Sequence, residues 1–164
     1  MYKDNFKVFT RVTNEDFSAA MDDIIPSNEF EKLLHQGAQM LEIDTSKYDK
    51  SQGLATLIFD CILMDLFGVK QFYIDLLYHA HAHIILTYIE NGVKYKVDYQ
   101  RKSGDASTFC QNTRFLVAVV ATMLDMDQVH SGIFAGDDSW LLTKHEFKDM
   151  NAWCPTLLNL ESIF

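Results

Sequence analysis

The sequence predicts an α+β fold with a mostly antiparallel sheet and packed helices. Three observations lead there. Short runs with strand-like alternation lie at 40–44, 84–89 and 93–99 and on both sides of Gly136-Asp137-Asp138. Stretches between them repeat apolar residues at helical spacing, and turn residues such as Asn91-Gly92 separate strand-like neighbours. At 164 residues, 48% hydrophobic and 13% aromatic, the chain can bury a substantial core. No repeat or Pro/Gly-rich linker interrupts it, and Pro26 and Pro155, its two prolines, lie near the ends, so one continuous domain is the simplest expectation.

In chain order, 28–36 reads as a short helix ending near Gly37, and Met40-Leu41-Glu42-Ile43-Asp44 as a half-buried strand that ends on an aspartate. Asp49-Lys50-Ser51-Gln52 has the form of a helix cap with Gln at the third helical position. The apolar residues at 54, 57, 58, 61 and 62 then predict one helix to Gly68. A second helix is expected over 71–80, then a hairpin of 84–89 with 93–99. Ser103-Gly104 opens a polar loop into a helix over 107–124, whose second half is apolar on nearly every side and is expected at the centre of the fold. Runs 132–135 and 139–142 form a last hairpin around Gly136-Asp137-Asp138.

The charge balance, 14 Lys+Arg against 23 Asp+Glu, argues against general affinity for polyanions, although Lys94, Lys96, Arg101 and Lys102 cluster closely enough to face a phosphate. The three cysteines, Cys61, Cys110 and Cys154, read as reduced buried thiols rather than a disulfide frame or zinc site. The longest apolar stretch, 115–124, falls short of the about 20 residues that span a bilayer, and no signal segment opens the chain. His79, His81 and His83 alternate but lack partners at ligand spacing, so no metal is assigned to them. Phe72, Tyr73, Tyr78, Tyr88, Tyr95 and Tyr99 are read as core packing rather than base-stacking platforms.

Asp44 at one strand end and Asp137-Asp138 at a hairpin tip would converge if those strands are neighbours. Carboxylates so crowded repel one another unless cations sit among them. Hard divalent ions take such oxygens together with substrate phosphates and water, and a pair of ions about 3.5–4 Å apart suits in-line phosphoryl displacement. A lone Gly-Asp-Asp is usually only a hydrophilic turn. Apolar strand residues on both sides give this one a rigid support.

Three segments carry a resemblance: Leu41-Glu42-Ile43-Asp44-Thr45-Ser46-Lys47-Tyr48-Asp49-Lys50-Ser51-Gln52; Arg101-Lys102-Ser103-Gly104-Asp105-Ala106-Ser107-Thr108-Phe109 with Asn112-Thr113; and Phe134-Ala135-Gly136-Asp137-Asp138-Ser139. In this order they resemble the palm motifs of positive-strand RNA virus polymerases, above all those of the alphavirus-like supergroup and its tobamovirus-like replicases. The resemblance implies the palm subdomain of a right-hand polymerase, with a catalytic Gly-Asp-Asp hairpin turned at Gly136. Its core would occupy 40–143, with 1–39 leading in and 144–164 beginning a further C-terminal segment.

By the same resemblance, Asp44 and Asp137 are the main ligands of two Mg2+ or Mn2+ ions, with Asp138 auxiliary. Asp49, Thr108 and Asn112 read the ribose, while Ser103 and Gly104 contact template and incoming nucleotide. Read from its residues alone, Asp49 is equally a helix cap, and Thr108 and Asn112 are equally ordinary polar positions near a helix start. Gln111 stands where relatives often carry glycine, and Trp140 where leucine is usual. The first leaves the helix intact; the second adds bulk beside the metal turn.

The implied function is RNA-directed RNA polymerisation: template-directed ribonucleotide transfer to an RNA 3′ end. Its partners would be RNA template, nascent RNA, ribonucleoside triphosphates and the fingers and thumb of a replicase, in host cytoplasm within a membrane-associated replication complex. As a segment of that enzyme, the isolated chain is expected to be weakly active or inactive. The rival readings are a catalytically incomplete viral remnant acting only as a binding module, and a reverse transcriptase, against which the Ser-Gly, Thr and Asn set speaks.

Overall fold

A computed structural model describes residues 5–9, 13–44, 48–102, 104, 105 and 107–144. The described residues fall into two compact units, one formed by 5–44 with 112–144 and the other by 48–111. The sequence, lacking a linker between them, does not mark this division.

The first unit opens with β1 (Phe6–Val8), α1 (Asn14–Ile24), α2 (Ser27–His35) and β2 (Gln39–Asp44), and closes with most of α6 (Thr108–Met123), then β5 (Val129–Ala135) and β6 (Asp138–Thr143). Its four strands lie in the order β1-β5-β6-β2, antiparallel except for β1 beside β5. β1 and α1 were absent from the sequence expectations, although α1 carries a readable start. Thr13 Oγ1 accepts from Asp16 N at 3.2 Å and Asp16 Oδ2 accepts from Thr13 N at 3.2 Å, a capping box built with Asp in place of the usual Glu or Gln.

Phe9, Ile24, Ile25, Ala38, Ile133 and Leu142 form a buried cluster, against which Phe30 and Trp140 pack with ring centroids 6.4 Å apart. Trp140 is thus engaged with α2 as well as lying two residues from Asp138. Gly132 lets β1 approach β5: a Cβ there would stand 2.7 Å from Leu141 Cδ2 and 2.9 Å from Phe6 Cε1.

The second unit holds α3 (Tyr48–Ser51), α4 (Leu54–Leu66), α5 (Gln71–Ala82), β3 (Ile84–Thr87), β4 (Lys94–Val97) and the first turn of α6. Asp49 does not cap a long helix. It lies inside the four-residue α3, and α4 starts afresh after Gly53, whose extended φ of −111° and ψ of −151° break the helical path. The β3–β4 pair is antiparallel but shorter than expected, with Tyr88 N bonded to Val93 O across the loop and Gly92 at φ +69°.

Several burial expectations are corrected. Phe72, Tyr73, Tyr88 and Tyr95 are exposed rather than core. Cys110 is exposed and Cys61 half-buried, whereas Cys154 lies outside the described residues. The second half of α6 is central only along Leu116, Val119 and Val120, while Ala121 and Thr122 face solvent. Among the described residues no helix is long and apolar enough to cross a membrane.

Candidate active site

β2 runs antiparallel to β6 in a register that sets Asp44 opposite Asp138, and β5 pairs with β6 so that Ala135 faces Asp138. Gly136 and Asp137 alone connect the two strands. Gly136 has φ +69°, and no other described residue of the turn has positive φ, the pattern of a type II′ turn with glycine in first place. Directly opposed residues of antiparallel neighbours project from the same face with Cβ atoms roughly 4.5–5.5 Å apart. Asp44 and Asp138 are therefore held close on one side, with Asp137 at the next position along the turn.

Like charges directly opposed across strands are unfavourable, and Asp138 registers that. Partial burial, then the neighbouring charges of Asp137, Asp44 and Glu42, hold its carboxyl above the ordinary 3.8. All three aspartates are exposed to solvent, so the cluster is open to a ligand. Its oxygens are the donor type that suits a hard divalent cation. Among the described residues no three His, Cys, Asp or Glu side chains gather tightly around one point.

One residue steadying this turn, Thr113, was quoted within a motif but given no role from the sequence. Gly136 N donates to Thr113 Oγ1 at 2.9 Å, a buried bond from the carboxylate turn to α6.

Over residues 1–162 the chain matches the family profile described as RNA dependent RNA polymerase. The chain belongs to the RNA-dependent RNA polymerase family. It is similar to the RNA replication protein of Citrus leprosis virus C, with 42% identity over 102 residues, 62% of this chain and 4% of that protein. It is also similar to the replicase large subunits of Tomato brown rugose fruit virus and of Tobacco mosaic virus strain OM, each 33% identical over 162 residues, 96% of this chain and 9% of theirs. The chain thus spans under a tenth of the length of these relatives. The family match extends well beyond 40–143, into the early and late residues where the motifs themselves were not visible.

The other polymerase-motif residues are distributed over both units. Asp49, half-buried in α3, and Thr108, buried at the start of α6, belong to the second unit; Asn112, buried one turn further along α6, belongs to the first. Thr108 Oγ1 donates to Lys102 O at 2.7 Å, so its hydroxyl proton is engaged at home while its lone pairs remain acceptors. Gly104 is exposed at φ +89°, a conformation that favours glycine. Ser103 lies outside the described residues.

The basic cluster is corrected in part. Arg101 is buried and donates from Nη2 to Asp60 Oδ2, so it is not presented to a phosphate. Lys96 pairs with Asp98 at 3.4 Å, and Lys102 Nζ donates to Ala80 O at 3.3 Å. His81 Nδ1 faces Leu77 O at 2.9 Å, and Nε2 lies 3.1 Å from Asp105 Oδ2 without hydrogen-bond alignment.

Proposed function

We propose that this chain is the palm of a viral RNA-directed RNA polymerase, that 40–143 is its core, and that the β5–β6 turn is its catalytic Gly-Asp-Asp hairpin. The single observation that carries the reading is the register of β2 against β6, which opposes Asp44 to Asp138 beside Asp137 in a chain of this family. In this reading Asp44 and Asp137 hold two Mg2+ or Mn2+ ions, with Asp138 an auxiliary ligand. When bound, the ions supply positive charge to the attacking 3′ oxygen and the departing pyrophosphate.

The chain's own residues do the positioning. Gly136 and Thr113 fix the carboxylate turn, so that Asp137 and Asp138 meet Asp44 without reorganisation at the moment of reaction. Asp49, Thr108 and Asn112 are the candidates for recognising the ribose hydroxyls; a polar group left unpaired by a deoxyribonucleotide would disfavour it. Ser103 and Gly104 would lie against template and nucleotide. RNA, ribonucleoside triphosphates and the fingers and thumb of a larger replicase are the partners, and a membrane-associated replication complex in host cytoplasm is the setting.

The test is primer extension by the full replicase polypeptide that carries this segment. Asp44→Asn and Asp137→Asn are each expected to slow nucleotide addition by on the order of 10²–10³-fold or more, and to abolish stabilisation of the protein by Mn2+. Retention of the wild-type rate in either variant overturns the reading.

A further inference from the structure

The second unit buries an ion pair that the reading above does not use. Asp60 is wholly buried on α4 and Arg101 is 5% exposed, and the guanidinium Nη2 donates to Asp60 Oδ2. Two charges withdrawn from water cost more than their attraction returns unless geometry and further bonds compensate, so such a pair is a poor device for stability alone and a good one for fixing a unique arrangement.

What it fixes can be followed bond by bond. Tyr99, held at φ +62°, donates its N–H to His81 O at 2.9 Å, and Arg101 N donates to Gln52 O at 3.2 Å. Lys102 Nζ reaches Ala80 O at 3.3 Å, and Asp105 Oδ2 lies 3.1 Å from His81 Nε2. Lys102 O in turn accepts from Thr108 Oγ1 at 2.7 Å and from Asp105 N at 3.3 Å. The Asp60–Arg101 pair is the buried end of this chain of bonds, and Thr108 is its other end. The small cavity beside the pair, bordered by Thr56, His81 and Gln111, has a free volume of about 10 Å³. That is room for about one water.

We propose that Asp60 and Arg101 are positioning residues for nucleotide selection: the buried pair anchors the backbone at 101–102 and thereby sets Thr108, and the Gly104 loop before it, in the orientation that distinguishes ribose from deoxyribose. The inference rests on the proposed polymerase function. Neither residue touches substrate; both act through Lys102 O and Thr108.

The test uses the full replicase polypeptide, primed RNA, and matched ribo- and deoxyribonucleoside triphosphates. Three variants are compared: Asp60→Asn; Arg101→Lys; and the apolar double variant Asp60→Leu with Arg101→Met, which removes the charges while filling the space. In Asp60→Asn and in the double variant, the ribo/deoxy ratio of kcat/KM is expected to fall about tenfold, mainly through a higher KM for the ribonucleotide. Arg101→Lys, which keeps the charge, is expected to retain part of the selectivity, and Mn2+ binding at the aspartates is expected to stay as in the wild type. Should Asp60→Asn fail to fold, the double variant decides. Equal loss on both substrates, or an unchanged ratio in a folded double variant, means that the pair is only structural and overturns the inference while leaving the polymerase reading intact. A wild-type polypeptide that adds no nucleotide overturns both.

Discussion

Where β5 and β6 meet in the first unit, the side chains fully withdrawn from water are Leu141, Leu142 and Phe134 with the small hydroxyls of Ser131 and Thr143, whereas in the second unit Asp60 and, nearly so, Gln52, Gln111 and Arg101 are buried along with Ala82, Leu57 and Ile84. Outward, the contrast reverses. Ile89 is 94% exposed, Phe72 69% and Ile85 68%, all in the second unit. The first unit is therefore held by ordinary apolar packing around a sheet, which is the rigid support that a carboxylate turn needs. The second adds a buried ion pair and buried amides to its apolar residues. A change at Asp60 or Arg101 acts by stranding a charge or a hydrogen bond rather than by opening a cavity.

The largest expected effect in the first unit comes from its packing. Leu141→Ala should destabilise by about 2–5 kcal/mol in urea unfolding, through lost burial and the cavity left behind; a smaller loss would mean that the sheet is less tightly packed than its burial indicates. Gly132→Ala comes next, at about 1–3 kcal/mol, because the added methyl meets Leu141 and the Phe6 ring where β1 joins β5. Thr113→Val should cost a similar or slightly smaller amount, about 1–3 kcal/mol, by leaving the buried Gly136 N–H unsatisfied, while Thr113→Ser restores the acceptor. If valine were tolerated without loss of stability or of Mn2+ affinity, α6 would not be steadying the carboxylate turn.

A weaker effect follows from Asp138. Its folded carboxyl takes up a proton more readily than the unfolded chain does, so its charge is a penalty near neutrality that is relieved as pH falls through the raised value. Asp138→Asn should therefore stabilise the metal-free protein at about pH 7, and the gain should shrink on acidification toward the ordinary carboxylate range or when Mn2+ is added. A gain independent of both pH and Mn2+ would show that repulsion among the aspartates is not its source. Smallest of all, Ile89→Ser on the exposed loop of the second unit should change stability by no more than about 0.5 kcal/mol. A larger loss would mean that this apolar surface is covered in the folded protein.

The contrast between the units also sorts what could be read from residue order. Elements with strong local signals were legible: α2 before Gly37, β2 ending at Asp44, α6, and the β5–β6 pair around Gly136 all lie within a few residues of expectation. The break between α3 and α4 was not, because Asp49-Lys50-Ser51-Gln52 satisfies a cap pattern that the backbone at Gly53 then overrides. The three-residue β1 was missed because a strand so short has no period to detect, and it exists through its pairing with β5. The aromatics of the second unit were misread for the opposite reason. Their spacing is that of a core, and nothing local says which face of α5 or of the β3–β4 pair meets other groups.

By itself the sequence determined the type and place of α2, β2, α5, α6 and the two hairpins, and the acidic residues at strand ends and turns, since caps, periodicity and turn chemistry act over a few residues. It also carried, through three ordered motifs, the family to which the chain belongs. Only the tertiary structure decided the register that opposes Asp44 to Asp138, the bond from Gly136 to Thr113, and the burial of Asp60 with Arg101. Each joins residues far apart along the chain, and no local preference of either partner specifies which distant group it will meet.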